Sequence, residues 1–161
     1  MTSVLAVVNV SQLRYRLDDE RMASFVDGID PINRLAEAAP GFVWRGRGVA
    51  GHAALLDRAG GDLFVNVSLW ETYLDFHRFT YQGAHGRYLT ARDRWFVHLP
   101  GPTAALWWTS PEDRPEVGPA LTRLRMLRRD GPSRHAFTVL RQWDAEGRPG
   151  RRRHLGQGRR A

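Results

Sequence analysis

The residues best suited to chemistry lie within the stretch FVNVSLWETYLDFHRFTYQGAH, residues 64–85. Alternating Val and Leu predict a β-strand over residues 63–70. The opposite face of that strand carries a mixed row: Phe64, Asn66, Ser68 and Trp70. An amide N–H can hold an oxygen atom on which negative charge develops, and an indole can stack on a planar ligand. We therefore predict that this row lines a cavity rather than fills a core.

The stretch ends on His85, near the end of a helix that we predict over residues 71–90. Imidazole titrates near neutral pH, so His85 could act as a general base, or its neutral ring could bind haem iron as an axial ligand. Structural roles are open as well. The helix dipole stabilises a terminal histidine, and a buried Asn66 or Trp70 can serve stability alone.

Aromatic and cationic side chains around this stretch could complete a pocket. Tyr81 and Tyr88 flank His85 and could transfer a proton or stack on a ligand. Arg87 or Arg92 could bind an anionic group at the mouth. Of the two tryptophans at 107–108, at most one can face the cavity, because successive strand residues point to opposite sides.

Zinc and non-haem iron sites are not predicted. The chain has no cysteine, which excludes thiolate ligands, disulfides and cysteine nucleophiles. Its six histidines form no HExxH or HxH motif and no cluster with carboxylates. His77 lies near the helix face of His85 but slightly over two turns earlier, too far for the two to share one metal ion.

Most of the positive charge lies at the end of the chain. The 161 residues carry a formal net charge of +7, and residues 148–161 alone hold six arginines and no acid. The remaining body is close to neutral, so a nucleic-acid partner is not predicted. We predict one domain over residues 1–143 and a disordered Arg- and Gly-rich tail over residues 144–161.

The sequence also bears on location. No apolar run approaches the roughly 18–20 residues that span a bilayer. The first residues lack a basic leader and a small-residue cleavage site. We therefore predict a cytoplasmic protein without a membrane partner.

The order of predicted elements indicates the fold class. Strands at residues 4–10, 42–48, 63–70 and 103–110 alternate with helices as β-α-β-β-α-β, followed by a helix from near Pro115 and a last strand at 135–143. This order predicts an α+β, ferredoxin-like split β-α-β fold with an antiparallel sheet. Such a sheet leaves one face uncovered. We predict that two copies cover each other, as a homodimeric α/β barrel whose interior receives the mixed row.

Spaced motifs over residues 4–140 resemble an uncharacterised bacterial family, domain of unknown function 3291. The motifs are NVSQLR, LAEAAPGFVWR, NVSLWE, FTYQGAH, RDRWF, ALWW and GPSRHAFT. The family supplies no biochemical role. What the resemblance implies therefore comes from the wider dimeric α/β-barrel superfamily.

Two branches of that superfamily are relevant. Cofactor-independent antibiotic-biosynthesis monooxygenases, which oxidise aromatic polyketides, carry Asn, three residues, Trp and Glu on their third strand. The similar residues here are Asn66, Trp70 and Glu71, with Phe76 standing where that branch has a tyrosine. Haem-degrading monooxygenases place an Asn on strand one and a ligating His at the end of the second main helix, positions that Asn9 and His85 resemble.

We accordingly predict a small-molecule enzyme of the antibiotic-biosynthesis monooxygenase type. It would act on a planar aromatic or polyketide-like substrate without a metal or cofactor, by oxygenation or by related cyclisation or isomerisation. Its catalytic residues would be His85, Asn66 and Trp70. Its substrate-binding residues would be Asn9, Phe64, Ser68, Phe76, Tyr81, Tyr88, Arg87 and Trp108. The alternatives are a haem enzyme with His85 on the iron and a non-catalytic module that binds a small ligand.

Overall fold

The strands predicted at residues 4–10 and 63–70 lie side by side at the centre of one antiparallel sheet. The computed structural model describes residues 2–48, 52–57 and 61–150. The strands are β1 (Val4–Leu13), β2 (Phe42–Arg45), β3 (Ala54–Leu56), β4 (Leu63–Trp70), β5 (Phe96–Val97) and β6 (Ala104–Thr109). The helices are α1 (Ala23–Glu37), α2 (Tyr73–Tyr81), α3 (Gly83–Thr90) and α4 (Val117–Asp130), with 3-10 turns at Glu20–Met22 and Arg92–Arg94.

The strand order is that of a split β-α-β unit. The main strands run β2-β4-β1-β6, so β4 lies between the two strands that α1 connects. The short strands complete the edges, β3 beside β4 and β5 beside β1. Every recorded strand pair is antiparallel. The predicted α+β, ferredoxin-like fold is therefore confirmed.

Different helices of the same chain cover the two faces of the sheet. The face with Phe64 and Trp70 looks onto α1, α2 and α3 across a cavity. The buried residues of the other face, which include Val65, pack against Leu124 and Leu127 of α4 and are at most 3% exposed. Our prediction that the mixed row faces a barrel between two copies is therefore wrong, because α1, α2 and α3 of the same chain cover that row and α4 covers the opposite face. A homodimer stays a prediction, but it would have to use another surface.

One strand was not predicted, and two predicted elements differ from the structure. The segment before β4 includes β3, because its apolar residues pair with the start of β4. The helix predicted over 71–90 is broken where Gln82 is extended and Gly83 adopts a φ of 70°. Residues 135–143, predicted as a strand, contact β6 through the single bridge Leu106↔Phe137.

Residues 142–150 form a hairpin that belongs to the globular part of the chain. The N–H of Gly150 donates to the carbonyl of Gln142 at 2.8 Å, and that of Asp144 donates to the carbonyl of Arg148 at 2.9 Å. Trp143 packs against the core. The predicted tail therefore begins inside this hairpin, and its remainder, residues 151–161, lies outside the described residues.

Candidate active site

A cavity of about 570 Å³ lies between the sheet and the helices α1, α2 and α3. This volume falls within the range of small-molecule sites. The predicted site residues that line it are Asn9, Phe64, Asn66, Ser68, Trp70, Phe76, Tyr81, His85 and Tyr88. One chain brings this set together, and it holds all three residues that we predicted to be catalytic.

Asn9 and Asn66 form a pair of amides on the sheet side of the cavity. The register of β1 and β4 places them directly opposite each other, so their Cβ atoms lie about 4.5–5.5 Å apart. Within the described residues, neither amide has a hydrogen-bond partner, and no fully buried side-chain N or O atom is left unpaired. Both amides are therefore reachable from the cavity. Together they offer N–H donors and carbonyl acceptors to a ligand.

Trp70 forms a rigid wall at one end of the row. Its Nε1 donates to Ser68 Oγ at 3.0 Å, which fixes the indole plane. The indole stacks on Phe79 with ring centroids 5.2 Å apart and planes at 26°. The Phe42 and Phe76 rings contact it edge-on. At 2% exposure Trp70 serves packing as well as the cavity wall.

His85 lies in the first turn of α3, not at the C-terminal end of one long helix as we predicted. Its Nδ1 lies 2.9 Å from the carbonyl oxygen of Thr80. In a continuous helix that carbonyl would accept from the N–H four residues later. The break at Gln82 and Gly83 turns α3 away from α2, and the imidazole takes up the carbonyl instead. The helix break, which the sequence pattern did not reveal, thus fixes the orientation of the ring.

The hydrogen bond also selects the tautomer of His85. Because the Thr80 carbonyl can only accept, Nδ1 must carry the proton, which leaves Nε2 with a lone pair. Burial lowers the pKa of His85 below 6.5, and the hydrogen bond to the Thr80 carbonyl opposes this shift in part. The ring is therefore neutral at pH 7, with Nε2 available to accept a proton. Phe79 contacts the imidazole at 5.0 Å, so a continuous ring stack joins Trp70 to His85.

A second aromatic group closes the other end of the row, around Phe64. His52 is 8% exposed and lies with its ring centroid 3.7 Å from that of Phe64. Phe25 of α1 contacts both rings, and Trp95 contacts Phe25 and Tyr88. The sequence analysis gave His52 no role. No local pattern marks it, because it reaches the cavity only through the tertiary packing of the segment before β3.

Arg45 also lines the cavity, although the sequence analysis missed it. Strict alternation would place Phe42 and Trp44 on one face of β2 and Arg45 on the other. A register shift between Phe42 and Trp44 instead brings Phe42 opposite Trp70 and Arg45 opposite Ser68. Both therefore share the cavity face. A β-bulge of this kind is rarely visible in a four-residue strand.

Two predicted substrate-binding residues do not line the cavity. Arg87 is exposed on α3, whereas Arg92 in the following turn does line it. Trp108 packs beside the aromatic cluster around Trp70 and donates its Nε1 to the carbonyl of Trp143 at 2.7 Å. Trp107 points to the opposite face, under Arg123 of α4. Neither adjacent tryptophan therefore reaches the cavity.

The part of the chain that the structure describes holds no group of three or more His, Cys, Asp or Glu side chains placed to bind a metal ion. Among its helices, none combines the length and the apolar character that crossing a bilayer requires.

A comparison with known sequence families supports the resemblance that the motifs indicated. The sequence profile described as Domain of unknown function (DUF3291) matches residues 4–153. The chain belongs to this family. A search of curated proteins gave no significant match.

Solved structures of similar shape include three proteins of low sequence identity. Rv0793 from Mycobacterium tuberculosis is 15% identical with a TM-score of 0.44, over 69% of this chain and 97% of that one. NE2512 from Nitrosomonas europaea, of unknown function, is 10% identical with a TM-score of 0.43, over 71% and 94%. SnoaB, a cofactor-independent oxygenase from Streptomyces nogalater, is 16% identical with a TM-score of 0.41, over 73% and 98%. The function proposed next rests on the geometry of the site.

Proposed function

We propose that this family member is an enzyme that deprotonates and oxygenates a planar aromatic substrate without a metal or an organic cofactor. One observation carries the proposal. His85, a neutral imidazole, lines the same cavity as the amide pair Asn9 and Asn66, and among the described residues neither its Nε2 nor the two amides have a partner. The first is a base for a substrate proton, and the second is a donor set for the oxygen atom that becomes negative.

The walls of the cavity suit a flat ligand. Trp70 and Phe79 stand at one end of the β4 row, and Phe64 stands at the other. Phe64 and Trp70 are six positions apart on the strand, which corresponds to about 20 Å. A molecule of two to four fused rings could lie along this row with its oxygen at the amides in the middle. Aromatic faces at both ends favour such stacking.

The chemistry balances without a bound redox group. Nε2 of His85 removes a proton from a phenol, or from a C–H beside a carbonyl, and the charge spreads to the oxygen held by Asn9 and Asn66. The electron-rich anion then reduces O₂, the second substrate. When the ring C–H becomes C=O, one oxygen atom enters the product and the other leaves as water. The substrate itself supplies all four electrons.

Anthrone is a suitable first probe, since its oxidation by O₂ to anthraquinone and water follows this balance. With purified protein, oxygen uptake and the quinone absorbance should rise together. His85→Ala should lower the rate by about 10²–10⁴-fold, the usual contribution of a positioned base. Asn66→Ala should lower it by roughly 10²-fold if the amide stabilises an oxyanion.

The matched control is His98→Ala, which changes an exposed histidine that does not line the cavity. Its rate should equal that of the parent. If His85→Ala also keeps the parental rate with every aromatic phenol that binds, the base assignment is wrong. A protein that binds such ligands but turns over none of them would be a non-catalytic binding module.

The geometry of His85 supports one second candidate, a haem enzyme. Histidines that bind a metal usually donate their other ring N–H to a backbone carbonyl or a carboxylate, as His85 does to Thr80. His85 would then be the axial ligand, with Asn9 on the cavity wall, and bound haem would supply oxygen activation. Protein purified from haem-supplied cells would show a Soret band that His85→Ala abolishes. Absence of that band in the parent protein rejects this candidate.

A further inference from the structure

The cavity wall carries arginines but no carboxylates among its described residues. Arg45 and Arg92 line it, and no Asp or Glu stands among the described residues of its wall. The histidine whose shift is resolved, His85, is neutral at pH 7 because burial lowers its pKa. The charge that a ligand meets inside is therefore positive.

The charge of Arg45 is largely balanced by a neighbour. Its Nε lies 2.8 Å from Glu37 Oε1, and the Arg45 side chain is only 17% exposed. The same carboxylate oxygen accepts from Arg47 Nη2 at 2.9 Å. Arg45 thus belongs to an ion-pair cluster with Glu37 and Arg47, which connects β2 to the end of α1.

Arg92 is placed differently. It begins the 3-10 turn that follows α3, so its side chain is exposed and also borders the cavity. Within the described residues its guanidinium has no ion pair and no hydrogen bond. An unpaired guanidinium at the edge of an aromatic cavity can bind a carboxylate through two parallel N–H···O bonds. Of the two arginines that we put forward for this role, Arg92 therefore lies on the cavity wall and Arg87 does not.

We propose that the natural ligand is an aromatic acid, held by a carboxylate that pairs with Arg92 while its ring system lies along the β4 row. This inference rests on the proposed function for the position of the rings. The carboxylate fixes the ligand at the mouth, so that its oxygen reaches Asn66 and its acidic proton reaches His85. A neutral aromatic of the same shape would enter the cavity but lack this anchor.

The test compares two probes of equal shape, 2-anthracenecarboxylate and 2-anthracenecarboxamide, by fluorescence titration without turnover. The parent protein should bind the carboxylate about tenfold more tightly, as one charge-assisted contact at a partly exposed site predicts. Arg92→Gln should remove this preference and leave carboxamide binding unchanged. Arg92→Lys, which keeps the charge but not the planar fork, should restore part of it.

Arg94→Gln is the matched control, since Arg94 is exposed in the same 3-10 turn and does not line the cavity. It should keep the parental preference for the carboxylate. Equal affinity of the parent for the two probes, or an equal weakening of both by Arg92→Gln, would overturn the proposal. His85→Ala separates the two hypotheses. It should keep the preference for the carboxylate even though the base is lost, so failure of turnover and failure of acid recognition give different results.

Discussion

The cover of the second sheet face by α4 makes a specific prediction about stability. Leu124 is 2% exposed and packs with Leu127 against the strand face that carries Val65. Replacing it with alanine leaves a cavity that the sheet cannot fill, because strands paired on both sides have little freedom to move. Buried Leu→Ala changes cost about 2–5 kcal/mol, and we take about 3 kcal/mol for Leu124→Ala. For a domain of this size that lowers the Tm by roughly 6–12 °C.

The assay is urea unfolding followed by circular dichroism, with the midpoint falling at an unchanged m-value. Leu140→Ala is the matched control, because Leu140 is 82% exposed and its loss should change the free energy of unfolding by less than about 0.5 kcal/mol. A cost for Leu124→Ala below about 1 kcal/mol would refute the packing of α4 on the sheet. A loss that depends strongly on protein concentration would also refute it, since it would show that a second copy covers this face.

Three further predictions follow from the same structure. An NMR titration of the free protein should give His85 a midpoint below pH 6.5, because burial disfavours the charged ring. The kcat/KM for deprotonation should therefore fall only as the pH drops through that midpoint. A midpoint above pH 6.5 would contradict the buried, neutral base. Deleting residues 151–161 should leave the Tm unchanged, whereas deleting residues 148–161 should lower it, because Arg148 and Gly150 close the hairpin. Equal effects of the two deletions would show that the hairpin adds no stability. Sedimentation at micromolar concentration should give about twice 18.3 kDa if the predicted homodimer forms through another surface, and a single 18.3 kDa species would exclude it.

The sequence by itself determined the order of the main elements and the row that lines the site. Alternation along β4 separates Phe64 and Trp70 from Val65, because successive strand residues point to opposite faces. The order of the main strands and helices was enough to give the ferredoxin-like topology, since a split β-α-β unit has few ways to pair its strands. His85 could be chosen from its residue type and its position near that row.

Only the tertiary structure decided which helices cover each face and which distant side chains meet. A local pattern shows that a strand has two faces, but α4 and α1 are both amphipathic and nothing local assigns either to a face. The pairing of Asn9 with Asn66 depends on the register of β1 and β4, which long-range hydrogen bonds fix. Arg45 reaches the cavity through a bulge, and the ring of His85 is oriented by a carbonyl that a helix break leaves unpaired. Apart from the local contact of His85 with Thr80, each of these joins segments that lie far apart in the sequence and meet only in the folded chain.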